Sequence, residues 1–403
     1  MSNKHINESN WWVSPFNYHQ DVLHSLNISS SVKIHDATLR DGEQTPGVVF
    51  STNEKVKIAS MLIEAGIDRI EAGMPAVSEE DYQSIKEICR INPKSEVFSF
   101  VRANIDDIKK SIDCGVSGVV VEIPIGYPKL VKQFKWTWEQ VLEKSVECIN
   151  FAKENNLYTV YFPYDTTRAR FGDLEKLLLG ISHHSNPDSI GVVDTMGCAT
   201  PRAISYLTKY VNEITGLPVE IHCHNEFGMS VASEFAAFEA GAKVLHGCVN
   251  GLGERTGNAP TEEIMIGLEI LYGFDKKFNI KKILEVCKYV KDLTNINYAR
   301  NKPFTGDGIF VRESGIGVDL VRKDPLAMYS VSPSFLGREG EIVLGKKSGK
   351  MSIRFMLEDL GIEGVNEADI ENITKEIKKR GAAKKRLLAK DEFLDIVSPY
   401  VRS

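Results

Sequence analysis

VKIHDATLRDGEQTPGVVFSTNEKVKIASMLIEAG, residues 32–66, decides the architecture. It opens with a short apolar run of strand length, Val32–Ala37. The chain then passes through Leu39-Arg40-Asp41-Gly42-Glu43-Gln44 and enters a helical pattern. Ser51-x-x-Glu54 is a capping box, in which each side chain satisfies a free backbone N–H of the other residue. Gly66 stands where that helix ends, because a left-handed cap suits glycine. The stretch is one strand, one charged loop and one helix.

The unit repeats. Further strand-like runs are Ile67–Ala72, Val97–Val101, Val116–Ile123, Tyr158–Tyr164, Ser189–Asp194, Val219–His224 and Lys243–Val249, each followed by a helical pattern. Ser78-x-x-Asp81, Thr137-x-x-Gln140 and Thr200-Pro201 mark helix starts, and Gly115 and Gly241 mark ends. Eight β-then-α units in roughly 240 residues predict an α/β fold of the closed (β/α)8 kind, a TIM barrel, which typically takes ~250 residues. An open doubly wound sheet is the rival, and the unit count favours the barrel. The predicted layout is an N-terminal extension (1–31), the barrel (32–275), a linker and lid-like subdomain (276–349) and a small helical C-terminal subdomain (350–403), with no room for a regulatory domain. Trp11-Trp12 in the extension are expected to pack on a neighbouring surface.

At 403 residues, with 42% hydrophobic and 26% charged content, the chain can bury a large core. A net charge of -6 speaks against nucleic-acid binding. No apolar run approaches the ~18 residues a membrane span needs. The seven cysteines are scattered without a C-x-x-C pair, which fits reduced thiols and a cytoplasmic location. Gly340-x-x-x-x-Gly345-Lys346-Lys347 lacks the hydroxyl residue and the βαβ setting of a phosphate loop.

In a barrel the active site lies at the C-terminal ends of the strands. Arg40, Asp41, Glu71, Arg102, Asp165, Thr195, His222, His224 and Asn250 fall at or just beyond such ends. His222 and His224 are two apart on a strand, so both imidazoles point one way, while Cys223 points the other. With Asp41 they offer a mixed nitrogen and oxygen site for one divalent ion, Mg, Mn or Zn. Arg40 beside such an ion suits a carboxylate, because its planar fork binds both oxygens. His35 and His246 read as core histidines.

Leu39–Gln44, His222-Cys223-His224 and Gly251-Leu252-Gly253-Glu254-Arg255-Thr256-Gly257-Asn258 together resemble the DRE-TIM metallolyase superfamily. Within it the chain is similar to the 2-isopropylmalate, homocitrate and citramalate synthases. Ile70–Pro75, Asp194–Gly197, Glu313-Ser314-Gly315-Ile316 and Gly345–Gly349 add matching pieces in the right order. The resemblance implies a homodimer that condenses acetyl-CoA, or a related acyl-CoA, with a small 2-oxo acid. By its match, Asp41, His222, His224 and Asn258 ligate the ion, Arg40 stabilises the oxyanion, Gln44 helps seat it, and Thr195 holds the oxo-acid carboxylate. Glu71 and Arg102 are further candidates for substrate contact, and Glu313 belongs to an appended part that reaches over the barrel mouth in this family. The alternatives are a metal-dependent C–C lyase or aldolase, and a catalytically diverged paralogue.

The chain departs from the family pattern where protons move. The strand-5 motif F-S-x-E-D-x-x-R reads here Tyr161-Phe162-Pro163-Tyr164-Asp165-Thr166-Thr167-Arg168, so Tyr164 replaces a glutamate. The histidine that closes the family's E-S-G-I-H is Gly317, and a family tyrosine falls on Met328, one residue before Tyr329. The strand-4 end, usually rich in Ser and Thr, is Ile123-Pro124-Ile125-Gly126-Tyr127-Pro128, which predicts a less polar or bulkier substrate. Asp165 and Tyr329 are the residues expected to take up the proton transfer.

Overall fold

The computed structural model describes residues 5–28, 31–91, 94–274 and 278–402. Its larger compact unit spans Phe16–Asn297. Eight parallel strands close into a barrel in sequence order: β1 Lys33–Asp36, β2 Arg69–Glu71, β3 Glu96–Arg102, β4 Gly118–Pro124, β5 Tyr158–Tyr164, β6 Ser189–Asp194, β7 Val219–Cys223 and β8 Val244–Gly247. All eight predicted runs are strands, and the open-sheet alternative is excluded because β8 pairs with β1. The helices that follow are α1 Thr52–Ala65, α2 Glu79–Arg90, α3 Ile105–Cys114, α4 Trp138–Glu154, α5 Phe171–His184, α6 Pro201–Thr215, α7 Ser230–Glu239 and α8 Thr261–Ile270. Their starts follow the predicted chemistry. The Ser51 N–H donates to Glu54 Oε2 at 2.8 Å, and the Thr137 N–H donates to Gln140 Oε1 at 2.9 Å.

The barrel interior is layered. An apolar layer of Phe98, Phe100, Val120, Val160, Phe162 and Val193 lies inside the strands. A charged layer packs against it: Arg69 donates to Glu220 at 2.7 Å, His246 Nε2 lies 2.9 Å from Glu220, and His35 Nε2 lies 3.0 Å from Glu71. The His35 and His246 rings stack with centroids 4.2 Å apart. Both are thus interior histidines held by carboxylates, as the sequence suggests.

The contact boundaries differ from the predicted layout. The expected boundary at Asp275 lies outside the described residues. Beyond it, helix α9, Ile280–Thr294, belongs to the barrel unit and packs on α1, because its apolar face (Ile283, Val286, Val290) is fully buried. The second compact unit joins the chain up to Pro15 with Tyr298–Ser403. Within it Trp11–Trp12 pairs with Ile6–Asn7, and the Trp11 ring meets Phe335 edge-on at 5.4 Å. Three helices, α10 Lys350–Asp359, α11 Glu367–Lys384 and α12 Lys390–Val397, enclose a core of Ile353, Ile373, Ile377 and Phe393.

Candidate metal centre and substrate cavity

A cavity of about 230 Å³ opens at the C-terminal ends of the strands. Phe100, Phe162 and Val193 close it from below, and Arg40, Asp41, Gln44, Thr195, His222 and His224 line it. The cavity therefore brings together six of the residues singled out in the sequence. Glu122, Lys129, Tyr164 and Glu254 complete the lining.

Asp41 is the hub. Its Oδ2 lies 3.2 Å from His222 Nε2, 3.5 Å from His224 Nε2 and 3.2 Å from Arg40 Nη1. Burial alone would raise the Asp41 carboxyl, but Arg40 and the two imidazoles hold it far below the usual carboxylate range. Burial lowers both histidines, His224 to about 4, so each imidazole is neutral at neutral pH, the form a cation needs.

Asn258 reaches the same place through the loop after β8. It bridges to His224, and its Nδ2 donates to the Leu252 carbonyl at 3.0 Å. That bond leaves Asn258 Oδ1 buried and without a partner. The loop passes so close that only glycine fits at 253. Its φ is +143°, and a Cβ there would stand 2.2 Å from Asn258 Nδ2 and 3.1 Å from Asp41 Oδ1. Thr45 clamps this loop to the one after β1, accepting from the Gly253 N–H at 2.8 Å and donating to its carbonyl at 3.1 Å. A buried anionic oxygen, two neutral imidazoles and an orphaned amide oxygen are a donor set that fits a divalent cation.

Arg40 is 9% exposed and fixed on several sides. Its Nε donates to Glu71 at 2.6 Å and its guanidinium lies 4.3 Å above the Phe100 ring, while Nη2 is buried and unpartnered. Glu71 is fully buried between His35 and Arg40, which bring it down to about 2 although burial opposes this. It supports Arg40 and is absent from the cavity lining.

Other candidates lie elsewhere. Arg102 ends β3 but turns back to α3, donating to both oxygens of Asp107 at 2.8 and 3.0 Å. Asp165 adopts a left-handed backbone, φ +61°, which swings its side chain away from the cavity. Its carboxylate is gripped by Arg168 at 2.7–3.0 Å and packs under Gly126, where a Cβ would lie 2.2 Å from Oδ2. The Asp165 N–H donates to Thr195 Oγ1 at 2.8 Å, so the loop shapes the cavity indirectly. Asn250 donates to the Cys287 carbonyl at 2.7 Å.

In the second unit, Glu313 accepts from the Lys347 N–H at 2.8 Å. The Tyr329 hydroxyl donates to the Phe310 carbonyl at 3.4 Å. Gly317 has φ +68°, and a Cβ there would lie 2.9 Å from Met328 Sδ. The two positions that depart from the family's histidine and tyrosine are thus neighbours in space.

The reading of the strand-4 end needs correction. From this strand and the short helix after it the cavity receives Glu122 and Lys129, not Ile123, Pro124 or Ile125, so this wall is charged. Ile123 and Ile125 are buried in the core instead. Sequence reasoning missed Glu122; its signal was a lone carboxylate inside an otherwise apolar run.

Residues 31–290 match the HMGL-like family, and residues 304–385 match the homocitrate synthase post-HMGL domain-like family. A homocitrate synthase of Methanopyrus kandleri is 34% identical over 92% of this chain and 93% of its own length. A 2-isopropylmalate synthase of Methanocaldococcus jannaschii is 36% identical over 92% of this chain and 72% of its own. Among solved structures, an HMG-CoA lyase of Bacillus subtilis superposes with a TM-score of 0.60 at 20% identity, over 68% of this chain and 97% of that one, which shows a shared fold. With the DRE-type loop, the strand-end histidine pair and the post-barrel region all in place, the chain belongs to the HMGL-like family, in the DRE-TIM superfamily.

Proposed function

We propose that this chain catalyses a metal-dependent Claisen condensation of acetyl-CoA, or a related acyl-CoA, with a 2-oxo acid, giving a 2-hydroxy alkylmalate-type product and free CoA. One observation carries the reading. Asp41, His222 and His224 converge within 4.8 Å, with the unpartnered Asn258 Oδ1 in the loop bridged to His224 and the unpartnered Arg40 Nη2 beside them. A divalent ion, Mg, Mn or Zn, held by Asp41, His222, His224 and Asn258 would supply Lewis acidity to the oxo-acid carbonyl and carboxylate oxygens.

The protein's own groups do the rest. Arg40 Nη2 is a preset donor for the oxygen that becomes an alkoxide, and Glu71 with Phe100 keeps it from swinging away. Thr195 and Gln44 line the same cavity, which supports a role in orienting the substrate carboxylate. The apolar floor of Phe100, Phe162 and Val193 excludes water from the reacting carbons. For Glu313 and Tyr329 the support is their position in sequence alone. We infer further that the protein works as a homodimer in the cytoplasm; scattered cysteines without a C-x-x-C pair suit that reducing compartment.

The test is direct. Metal-loaded protein is incubated with acetyl-CoA and a panel of 2-oxo acids, and free thiol is read. Thiol release that needs both an oxo acid and the metal supports the reading. Cleavage of a hydroxyacyl substrate without condensation would transfer the chain to the lyases, and no thiol release with any oxo acid would overturn the proposal.

A further inference from the structure

Glu122 is a cavity group without a partner. It lies on β4 in register with Phe162 of β5 and Arg102 of β3. Val120, two residues earlier, belongs to the apolar interior layer, so alternation turns Glu122 inward, one step nearer the mouth. The other lining carboxylates are committed: Asp41 to Arg40, His222 and His224, and Glu254 to Arg255 at 3.2 Å. The Glu122 side chain makes no hydrogen bond or ion pair among the described residues, and it faces the space that Arg40 also faces.

Its surroundings mirror what is lost on β5. Tyr164, standing where the family motif has glutamate, lines the same wall two residues beyond Phe162. The Lys129 ammonium lies 3.7 Å over the Tyr164 ring. Three other candidate proton carriers each have a charged partner. Asp165 is held by Arg168, Glu226 by Arg255, and His246 by Glu220 beneath the apolar layer. We propose that Glu122 is the base that takes the methyl proton of the acyl thioester, supplying from β4 the carboxylate that the family motif carries on β5. The proposal rests on the condensation reading.

The step balances without any further reagent. The C–H electron pair becomes the C=C bond of the enolate as the thioester carbonyl pair moves onto its oxygen, and the proton goes to the Glu122 carboxylate. The enolate carbon then bonds the 2-oxo carbon, whose carbonyl pair moves to the oxygen that Arg40 faces. Water later cleaves the thioester and CoA leaves as the thiol. Electrostatics agree. Burial, above all, raises Glu122 to about 7, while Arg40 and Lys129 oppose the rise and Asp41 and Glu71 add to it. The titratable and charged groups facing it are Arg40 and Asp41 beyond β1, Glu71 on β2, Lys129 beyond β4, Tyr164 on β5, the His222 and His224 pair and Glu254. A carboxyl that titrates near the working pH both accepts and returns protons readily. Tyr164, raised to about 12 by burial and then by Glu122, keeps its proton.

The experiment measures deuterium wash-in to the acetyl-CoA methyl group, turnover by thiol release, and Mn²⁺ affinity, in wild type and Glu122→Gln. Glu122→Gln should lower exchange and kcat together by about 10²–10⁴-fold, the usual size of general-base catalysis, with Mn²⁺ affinity and the KM for the oxo acid nearly unchanged. The rising limb of the wild-type pH–rate profile should vanish with it. Adding Tyr164→Glu to Glu122→Gln returns a carboxylate to β5 and should restore part of the exchange. Wild-type exchange and turnover in Glu122→Gln would overturn the proposal while leaving the condensation reading intact. Absence of thiol release in the wild type would instead overturn both. Should Glu122→Gln lose its circular-dichroism signal, Glu122→Asp decides. Slowed exchange at unchanged Mn²⁺ affinity supports the assignment, and wild-type exchange refutes it.

Discussion

Across the mouth of the barrel, two walls are built on different terms. At the ends of β1 and β7, Asp41, His222, His224 and Arg40 hold one another, with Glu71 and His35 behind them. On β4 and β5, Glu122 stands unpaired beside Lys129 and Tyr164. The first wall has the rigidity that a charge-stabilising site requires, since its donors must not reorganise during the reaction. The second keeps a carboxylate free of ion pairs, as a proton acceptor requires. The family's metal-binding sequence pattern is present on the first wall, and the proposal for Glu122 assigns the proton-moving carboxylate to the second. In the other compact unit the same kind of change came in a pair: Gly317 admits Met328 where a side chain would collide with it.

Four substitutions probe the difference between the walls. Asp41→Asn keeps the shape of the hub and removes its charge. Mn²⁺ binding and thiol release should both collapse, by more than about a thousandfold in turnover, because Lewis-acid stabilisation is worth several kcal/mol. Arg40→Lys keeps the charge and loses the fork. Turnover should fall by about 10²–10³, the cost of one oxyanion donor, with Mn²⁺ affinity retained in calorimetry. Gly253→Ala places a Cβ against Asn258 Nδ2 at a left-handed φ. It should weaken Mn²⁺ binding by about 10–100-fold, as disturbed ligand orientation does, with turnover recovering at saturating metal. Arg102→Ala should change turnover by less than about twofold, because this exposed arginine is engaged with Asp107 outside the cavity.

Acidity separates the walls in another way. Protons compete with the metal only where the ligands titrate. His224 titrates near 4, His222 is also lowered, and Asp41 lies lower still. Mn²⁺ affinity should therefore hold at neutral pH and be lost as the pH falls toward about 4, where His224 takes up its proton. The rate should instead rise as Glu122 loses its proton, from a free-protein value of about 7 that a bound cation shifts downward. Calorimetry and initial rates across the same buffers compare the two profiles; coincident profiles would merge the walls into a single titrating unit.

The barrel was legible because its alternation of short apolar runs with capped helices is a local signal. The metal wall was legible because its parts lie at strand ends with fixed spacing. What failed to read was direction. Asp165 sits at a strand end, yet its left-handed backbone turns it to Arg168. Arg102 ends β3 but finds Asp107 five residues on. Glu122 was hidden because an apolar run draws attention to its hydrophobic members, and the inward parity of one residue emerges only when β4 is paired with β5. The barrel boundary moved for a similar reason: the apolar face of α9 finds its partner on α1, distant in sequence.

Mn²⁺ titration followed by electron paramagnetic resonance separates the two walls in one experiment. The wild type should take up a single ion per chain. His222→Ala/His224→Ala should take up none, while Glu122→Gln and Tyr164→Phe should bind as the wild type does. Undiminished uptake in the double histidine variant, or loss of uptake in Glu122→Gln, would contradict a metal wall that stands independently of the proton-moving one.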